Sequence, residues 1–359
     1  MQRLFLKFLF ACSLVCLISG CEKKPNPVDE DSFSFLMGDQ EELWQFVKTN
    51  EDFSNLEFFE KNYEATKLCK ADLHAKPLVP KTVHFIWVGP NNFPETSIDN
   101  VVSWVNNNPN FKFKFWTDRL RPLPHPSMEL ELVSNFPFQF FEKEFVSSTN
   151  WAEKSDLLRY EILYQQGGIY VDHDVICLNS FEELTHTYDL FCGMEPPHQL
   201  VLNTSINLCN NLIGSAPAHP VLKETIERVS KRWKSIEKIF PGKDTDSTIM
   251  RIAHRTFSPF DEAFQAKASQ LGNNDIAFPA NFFNNMGKNP GKYAHHYYAS
   301  TWFDDEPAFE KNLRRRLTKI SRKNNQILLF NAFILAANLF LVVFLLRQKH
   351  IFKRYERKN

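Results

Sequence analysis

The sequence predicts an α/β domain built on a mainly parallel sheet. Three observations carry that prediction: β-branched and aromatic runs that stop at turn residues, helical periodicities between them, and an acidic triplet where one run ends. Lys81-Thr82-Val83-His84-Phe85-Ile86-Trp87-Val88 is such a run, halted by Gly89-Pro90, so it reads as a strand feeding a loop. Ile98 to Asn107 reads as a helix, ended by Pro109. Phe111 to Trp116 alternates apolar residues with lysine and stops at Thr117-Asp118, a second strand. Trp151 to Gln166 has the helical period through Leu157, Leu158, Ile162 and Leu163, and Gly167-Gly168 supplies the permissive backbone of a C-cap. Ile169-Tyr170-Val171 is a short strand running into Asp172-His173-Asp174, and Val175 to Leu178 resumes extended structure. In sheets of this kind ligands gather at the carboxyl ends of strands, where the Trp87 loop and the triplet both fall.

Bulk properties narrow the function. The chain has 359 residues, enough for one large α/β domain or two small ones. Lysine plus arginine and aspartate plus glutamate both number 42, so the formal net charge is zero. That argues against a nucleic-acid partner, because phosphate backbones demand a basic excess. The cysteines include no C-x-x-C pair and no zinc spacing, and Cys69, Cys177, Cys192 and Cys209 read as buried free thiols. The 35 phenylalanines read as a well-filled core.

Both ends suggest a membrane. Residues 1–21 combine Arg3 with an apolar run from Leu4 to Ser19, too short for a comfortable span. They end in Ile18-Ser19-Gly20-Cys21, which resembles a bacterial lipobox and implies lipidation of Cys21; the alternative is an uncleaved signal anchor. Residues 22–76 read as a tether followed by a helical extension, helical around Glu41–Thr49 and Leu56–His74. The α/β domain is assigned to 77–305, a basic juxtamembrane segment to 306–325, a transmembrane helix to 326–346 and a basic tail to 347–359. The apolar length of 326–346 predicts membrane association, and since positive residues flank both sides the positive-inside rule does not choose an orientation.

Residues two apart in extended chain point the same way, so Asp172 and Asp174 are placed to grip one hard divalent cation. A nucleotide diphosphate would complete its shell. Alone, D-x-D is common and mostly marks surface loops. Asp156 and Arg159 alone would read as a surface ion pair, and Trp87 and Trp302 as core.

The segment from Trp151 to Asp174, with its Ser155-Asp156-Leu157-Leu158-Arg159-Tyr160 step, Gly167-Gly168-Ile169-Tyr170 turn and D-x-D, resembles the DXD-containing sugar-binding glycosyltransferases of family 32. It also resembles the core of the large clostridial glucosylating toxins. His84 to Gly89, Ser103-Trp104 through Asn108-Pro109, Trp116-Thr117-Asp118, and Ala294 to Trp302 resemble further family segments. The resemblance covers about residues 80 to 303 and implies a GT-A fold, with Mn2+ or Mg2+ and a nucleotide-sugar donor, UDP-hexose favoured and GDP-mannose possible. It implies that Trp87 stacks on the base, that Asp156 and Arg159 hold the donor sugar and diphosphate, and that Tyr170 lies beside the nucleotide. It further implies Asp174 as direct metal ligand, Asp172 shared between metal and ribose, His295 or His296 as another ligand or diphosphate contact, and Ser300 and Trp302 closing over the diphosphate. Asn211, followed by His219-Pro220, resembles a weaker segment whose asparagine faces the acceptor. The chain departs from the family at Arg255-Thr256-Phe257-Ser258-Pro259, where members often carry T-G-P.

The expected activity is retaining transfer of a hexose to a glycan, lipid or protein hydroxyl, with Asp172, Asp174 and Arg159 stabilising the departing diphosphate. The alternatives are a toxin-like protein glycosyltransferase and a non-catalytic nucleotide-sugar-binding membrane protein.

Overall fold

The computed structural model describes residues 30–198, 202, 204–242, 245–286 and 290–299. The lipobox-like segment, Ser300, Trp302, and the predicted juxtamembrane, transmembrane and tail segments lie outside the described residues. Among the described residues no helix is long and apolar enough to cross a membrane.

The strands are β1 (Thr82–Trp87), β2 (Lys112–Thr117), β3 (Met128–Leu132), β4 (Gly168–Val171), β5 (Val175–Cys177), β6 (Leu190–Met194), β7 (Leu208–Ser215), β8 (Asp275–Phe278) and β9 (Ala294–His296). Seven form one sheet in the order β3-β2-β1-β4-β7-β6-β8, and β5 pairs with β9 in a separate ribbon. Every neighbouring pair in the large sheet is parallel except those made by β7, which runs antiparallel to both β4 and β6. The expected mainly parallel α/β architecture is therefore present, with one reversed strand.

The helices are α1 (Phe33–Leu36), α2 (Asn50–Thr66), α3 (Ile98–Asn107), α4 (Glu142–Ser147), α5 (Trp151–Gln166), α6 (Glu182–Thr187), α7 (Pro220–Ile239), α8 (Thr245–Ile252) and α9 (Ser258–Lys267). A π-helical turn, Ala253–Phe257, joins α8 to α9. The N-terminal helices share the core: Phe33, Leu36, Met37, Phe59 and Tyr63 are buried in the same apolar cluster as the sheet.

Two local features aim the site. Gly167 (φ 65°) and Gly168 (φ 99°) turn the chain from α5 into β4 with backbone angles that side chains rarely accept. In β6 and β7 the pair Cys192↔Ile213 is followed directly by Gly193↔Cys209, which leaves Asn210, Asn211 and Leu212 without partners on β6. Irregularities of this kind re-aim side chains next to active sites.

Candidate active site

The triplet leaves the carboxyl end of β4, beside the carboxyl end of the parallel β1 that carries Trp87. The Asp172 N–H donates to the Asn211 carbonyl at 2.8 Å, which extends the β4–β7 ladder one residue into the triplet. The Val175 N–H returns to the Asp172 carbonyl at 3.2 Å, closing a turn over His173. The same chain then enters β5, whose register sets Val175 opposite His296 and Ile176 opposite His295.

That register separates the two histidines. Side chains alternate along a strand, so only one of them can face the triplet. His296 Nε2 lies 3.3 Å from Asp174 Oδ2. His295 faces the other way, accepting the Asn285 N–H on Nδ1 at 3.2 Å and packing edge-on against Tyr297. Asp172, Asp174 and His296 can each offer one ligand atom with all these atoms within 4.8 Å of one another. Two carboxylates and an imidazole suit a divalent cation that accepts both oxygen and nitrogen, so the donor set fits such an ion. Burial, the largest influence on His296, opposes its charged form, but Asp174, Asp172 and Glu195 together raise its pKa.

Beside this corner stands a buried polar network on α5. Arg159 and Asp156 are 5% and 7% exposed at the side chain and 3.1 Å apart, so they are no surface pair. Arg159 also donates to the Asn210 carbonyl at 2.6 Å, the Tyr170 hydroxyl at 2.8 Å and Asp172 Oδ1 at 3.2 Å, and it lies over the Tyr170 ring at 4.0 Å. The Tyr170 hydroxyl donates in turn to Asp172. Asp156 accepts from Asn210 Nδ2 and from the Thr256 hydroxyl. Burial pushes the Asp156 carboxyl up from its ordinary value, against the opposing pull of Arg159 and Thr256.

Trp87 sits edge-to-face with His173, ring centroids 4.9 Å apart, and with Phe93 at 5.6 Å. His173 is braced from α3 and its approach: the Ser97 hydroxyl lies 2.8 Å from Nδ1, and Asn100 Nδ2 donates to the His173 carbonyl at 3.0 Å. Burial lowers the His173 pKa, which favours a neutral ring against Trp87.

Sequence comparison matches the same residues. Residues 94–191 match the family described as a glycosyltransferase sugar-binding region containing a DXD motif. That matched stretch includes Asp156, Arg159, Tyr170 and the Asp172-His173-Asp174 triplet. Over 153 residues it is 28% identical to inositol phosphoceramide mannosyltransferase 3 of Schizosaccharomyces pombe, covering 43% of this chain and 38% of that protein. Over 172 residues it is 27% identical to the subversion of eukaryotic traffic protein A of Legionella pneumophila, covering 43% of this chain and 26% of that one. The chain thus spans well under two thirds of either relative. The catalytic domain of alpha-toxin from Clostridium novyi aligns in structure at 10% identity and a TM-score of 0.47, covering 79% of this chain and 92% of that one.

The DXD region holds Asp156, Arg159, Tyr170, Asp172 and Asp174 within its matched residues; Trp87, Asn211 and His296 are brought to it by the fold. Of the residues assigned from sequence, the structure leaves His295 apart from the metal corner. Asn211 lies opposite Asp172, 2% exposed, and neither its Nδ2 nor its Oδ1 has a partner among the described residues. Sequence reasoning did not reach Asn210, Thr256 or Glu195. Thr256 stands in the segment that departs from the family pattern, and its hydroxyl on Asp156 gives that departure a place in the site.

Proposed function

We propose that this chain is a metal-dependent, retaining glycosyltransferase that moves a hexose from a nucleotide-diphosphate sugar to a hydroxyl acceptor. The observation that carries the reading is the meeting of Asp172, Asp174 and His296 within 4.8 Å, on a DXD segment that a buried arginine ties to the preceding helix. These three residues would hold Mn2+ or Mg2+, which when bound supplies charge neutralisation to the leaving diphosphate. Trp87 offers its ring to the nucleotide base at the end of β1. Asp156, kept dry, receives donor-sugar hydroxyls, and Arg159 fixes Asp156 and Asp172 relative to each other while adding positive charge. Asp172 serves the ribose as well as the cation. Ser300 and Trp302 are assigned to closure over the diphosphate on the resemblance alone. The sequence of residues 326–346 supports attachment to a membrane.

UDP-hexose and GDP-mannose are the donors to compare, the second because several relatives are named mannosyltransferases. The test is calorimetric titration of UDP and GDP with and without Mn2+, together with diphosphate release from each sugar nucleotide. The wild type should bind one nucleotide only with metal present, and Asp174→Asn should lose both binding and turnover while keeping its far-UV dichroism. Equal nucleotide affinity in Mn2+ and in EDTA would falsify the metal-dependent reading, and metal-dependent binding without turnover would favour the non-catalytic alternative.

A further inference from the structure

Glu195 follows β6 directly, and its N–H pairs with the Asn207 carbonyl at 3.0 Å, across from the start of β7. Its Oε1 accepts the Cys209 thiol at 3.4 Å, and its Oε2 lies 3.5 Å from His198 Nε2. Cys209 is two residues from Asn211, so along extended β7 the two side chains are about 7 Å apart on one face. Asn211 stands opposite Asp172 across the β4–β7 ladder, and residues opposite one another share a face. Asp172, Asn211, Cys209 and Glu195 therefore form a row that starts at the metal corner and runs outward. The break between Cys192 and Gly193 frees this stretch of β7 from β6.

Two features of the row call for a ligand. Asn211 is 2% exposed with both polar atoms of its amide unpartnered among the described residues, a costly arrangement unless something polar binds there. Glu195 has a side chain 15% exposed and two partners, while a carboxylate offers about four acceptor positions. A buried amide beside a partly filled carboxylate presents donors and acceptors in alternation. Hydroxyls on opposite sides of a ring polyol present the same alternation in return.

Resting on the transferase reading, we propose that Asn211 and Glu195 form the acceptor subsite and that Glu195 receives a hydroxyl of a ring polyol, the terminus of a glycan or the headgroup of a lipid. His198, 40% exposed at its side chain, positions the carboxylate. Asn211 holds the hydroxyl nearest the metal corner. Glu195 holds a hydroxyl on the far side of the ring, about one sugar width further out.

The test measures donor consumption at saturating sugar nucleotide against rising methyl α-D-mannopyranoside, the glycan arm, and myo-inositol, the headgroup arm. In the wild type one polyol should stimulate turnover. In Glu195→Gln its half-saturating concentration should rise about tenfold or more, the usual effect of losing a charge-assisted hydrogen bond. Mn2+-dependent nucleotide affinity and the donor KM should change far less than that half-saturating concentration. His198→Ala, at a position that leaves the core untouched, should show a smaller rise of about threefold and serves if Glu195→Gln folds poorly. No stimulation by either polyol in a wild type that does turn over donor, or unchanged half-saturation in both variants, overturns the subsite. A fall in turnover at constant half-saturation overturns it too. Failure of the wild type to bind nucleotide with Mn2+ or to consume donor instead sinks the transferase reading, and the subsite with it.

Discussion

Tyr170 is the hinge of the buried network: its hydroxyl accepts a hydrogen bond from Arg159 and donates one to Asp172. Tyr170→Phe keeps the ring under the guanidinium and removes those two bonds along with the 3.5 Å contact to the Ser155 hydroxyl. Asp172 would lose part of its orientation, so Mn2+-dependent nucleotide affinity should fall about tenfold, with a stability cost of about 1 kcal/mol. Calorimetry and urea unfolding on the same samples separate the two, and unchanged affinity would remove Tyr170 from the site. A second residue-scale prediction concerns Asp261. Burial lifts its pKa from an ordinary 3.8 to about 6, against the Leu208 N–H and Gln265 that favour its charge. For an acid raised in the folded state, the stabilising contribution is full below the unfolded value and is lost as pH rises through the folded one. Asp261→Asn carries no such loss, so its stability relative to wild type should climb by about 2 kcal/mol between pH 4 and pH 6. A flat difference across that window would contradict the assignment. At this scale the sequence was readable where chemistry is contiguous. Asp156, Arg159, Asp172 and Asp174 lie within one helix–strand unit. His295 against His296 was not readable, because only the pairing of β5 with β9 decides which ring faces Asp174. Glu195 and Thr256 were not readable either, since each reaches the site through long-range contacts.

The elements show where local signals suffice. The sequence places α3 and α5 over the residues the structure gives them, because each has its own periodicity and stop signal. It starts α2 at Leu56 and runs it to His74, whereas the helix spans Asn50–Thr66. Its start is set by a capping box between Thr49 and Asp52, a signal independent of apolar period. The reversal of β7 is invisible locally, since strand direction is decided by the path of the chain between strands. Gly168 ties this scale to the site. At φ 99° it joins β4, and an added Cβ would lie 2.5 Å from the Thr82 carbonyl and 2.8 Å from His84. Gly168→Ala should cost about 3 kcal/mol, because backbone strain and a clash with β1 add together. Gly272 has φ 82° and nothing within 4 Å of an added Cβ, so Gly272→Ala should cost only about 1 kcal/mol. Equal costs in urea titrations would mean that β4 is not pinned against β1 as described.

At the scale of the whole molecule, the segment read as an extension ahead of residue 77 is packed into the sheet. Asp52, fully buried, accepts hydrogen bonds from the Lys48 and Thr49 N–H groups, the Ser205 N–H and the hydroxyls of Thr204 and Ser205. Burial alone would raise its pKa, but those donors hold it far below the carboxylate range. Two residues of α2 reach further. Asn55 donates to the Ile206 carbonyl at 3.1 Å, and Asn62 bridges the edge of β8, donating to the Asp275 carbonyl and accepting the Ala277 N–H. Tyr63 meets Phe278 and Phe282, and Phe59 meets Phe264. The stretch that leads into β7, and with it Cys209 and Asn211, is thus anchored by α2. The sequence could not show this, because a polar helix followed by prolines looks the same whether it is a spacer or a clamp. A chain beginning at residue 77 would leave the β8 edge unpaired and uncover Phe264, Phe278 and Phe282, each worth about 2 kcal/mol of burial. Domains of this kind hold only about 5–15 kcal/mol in total. Such a truncation should retain helical far-UV dichroism, lose near-UV structure and bind a hydrophobic dye, whereas the full chain keeps its near-UV signal. A truncation from 77 that unfolds cooperatively at the midpoint of the full chain would show that α2 is a spacer after all and that the approach to β7 is held by the sheet alone.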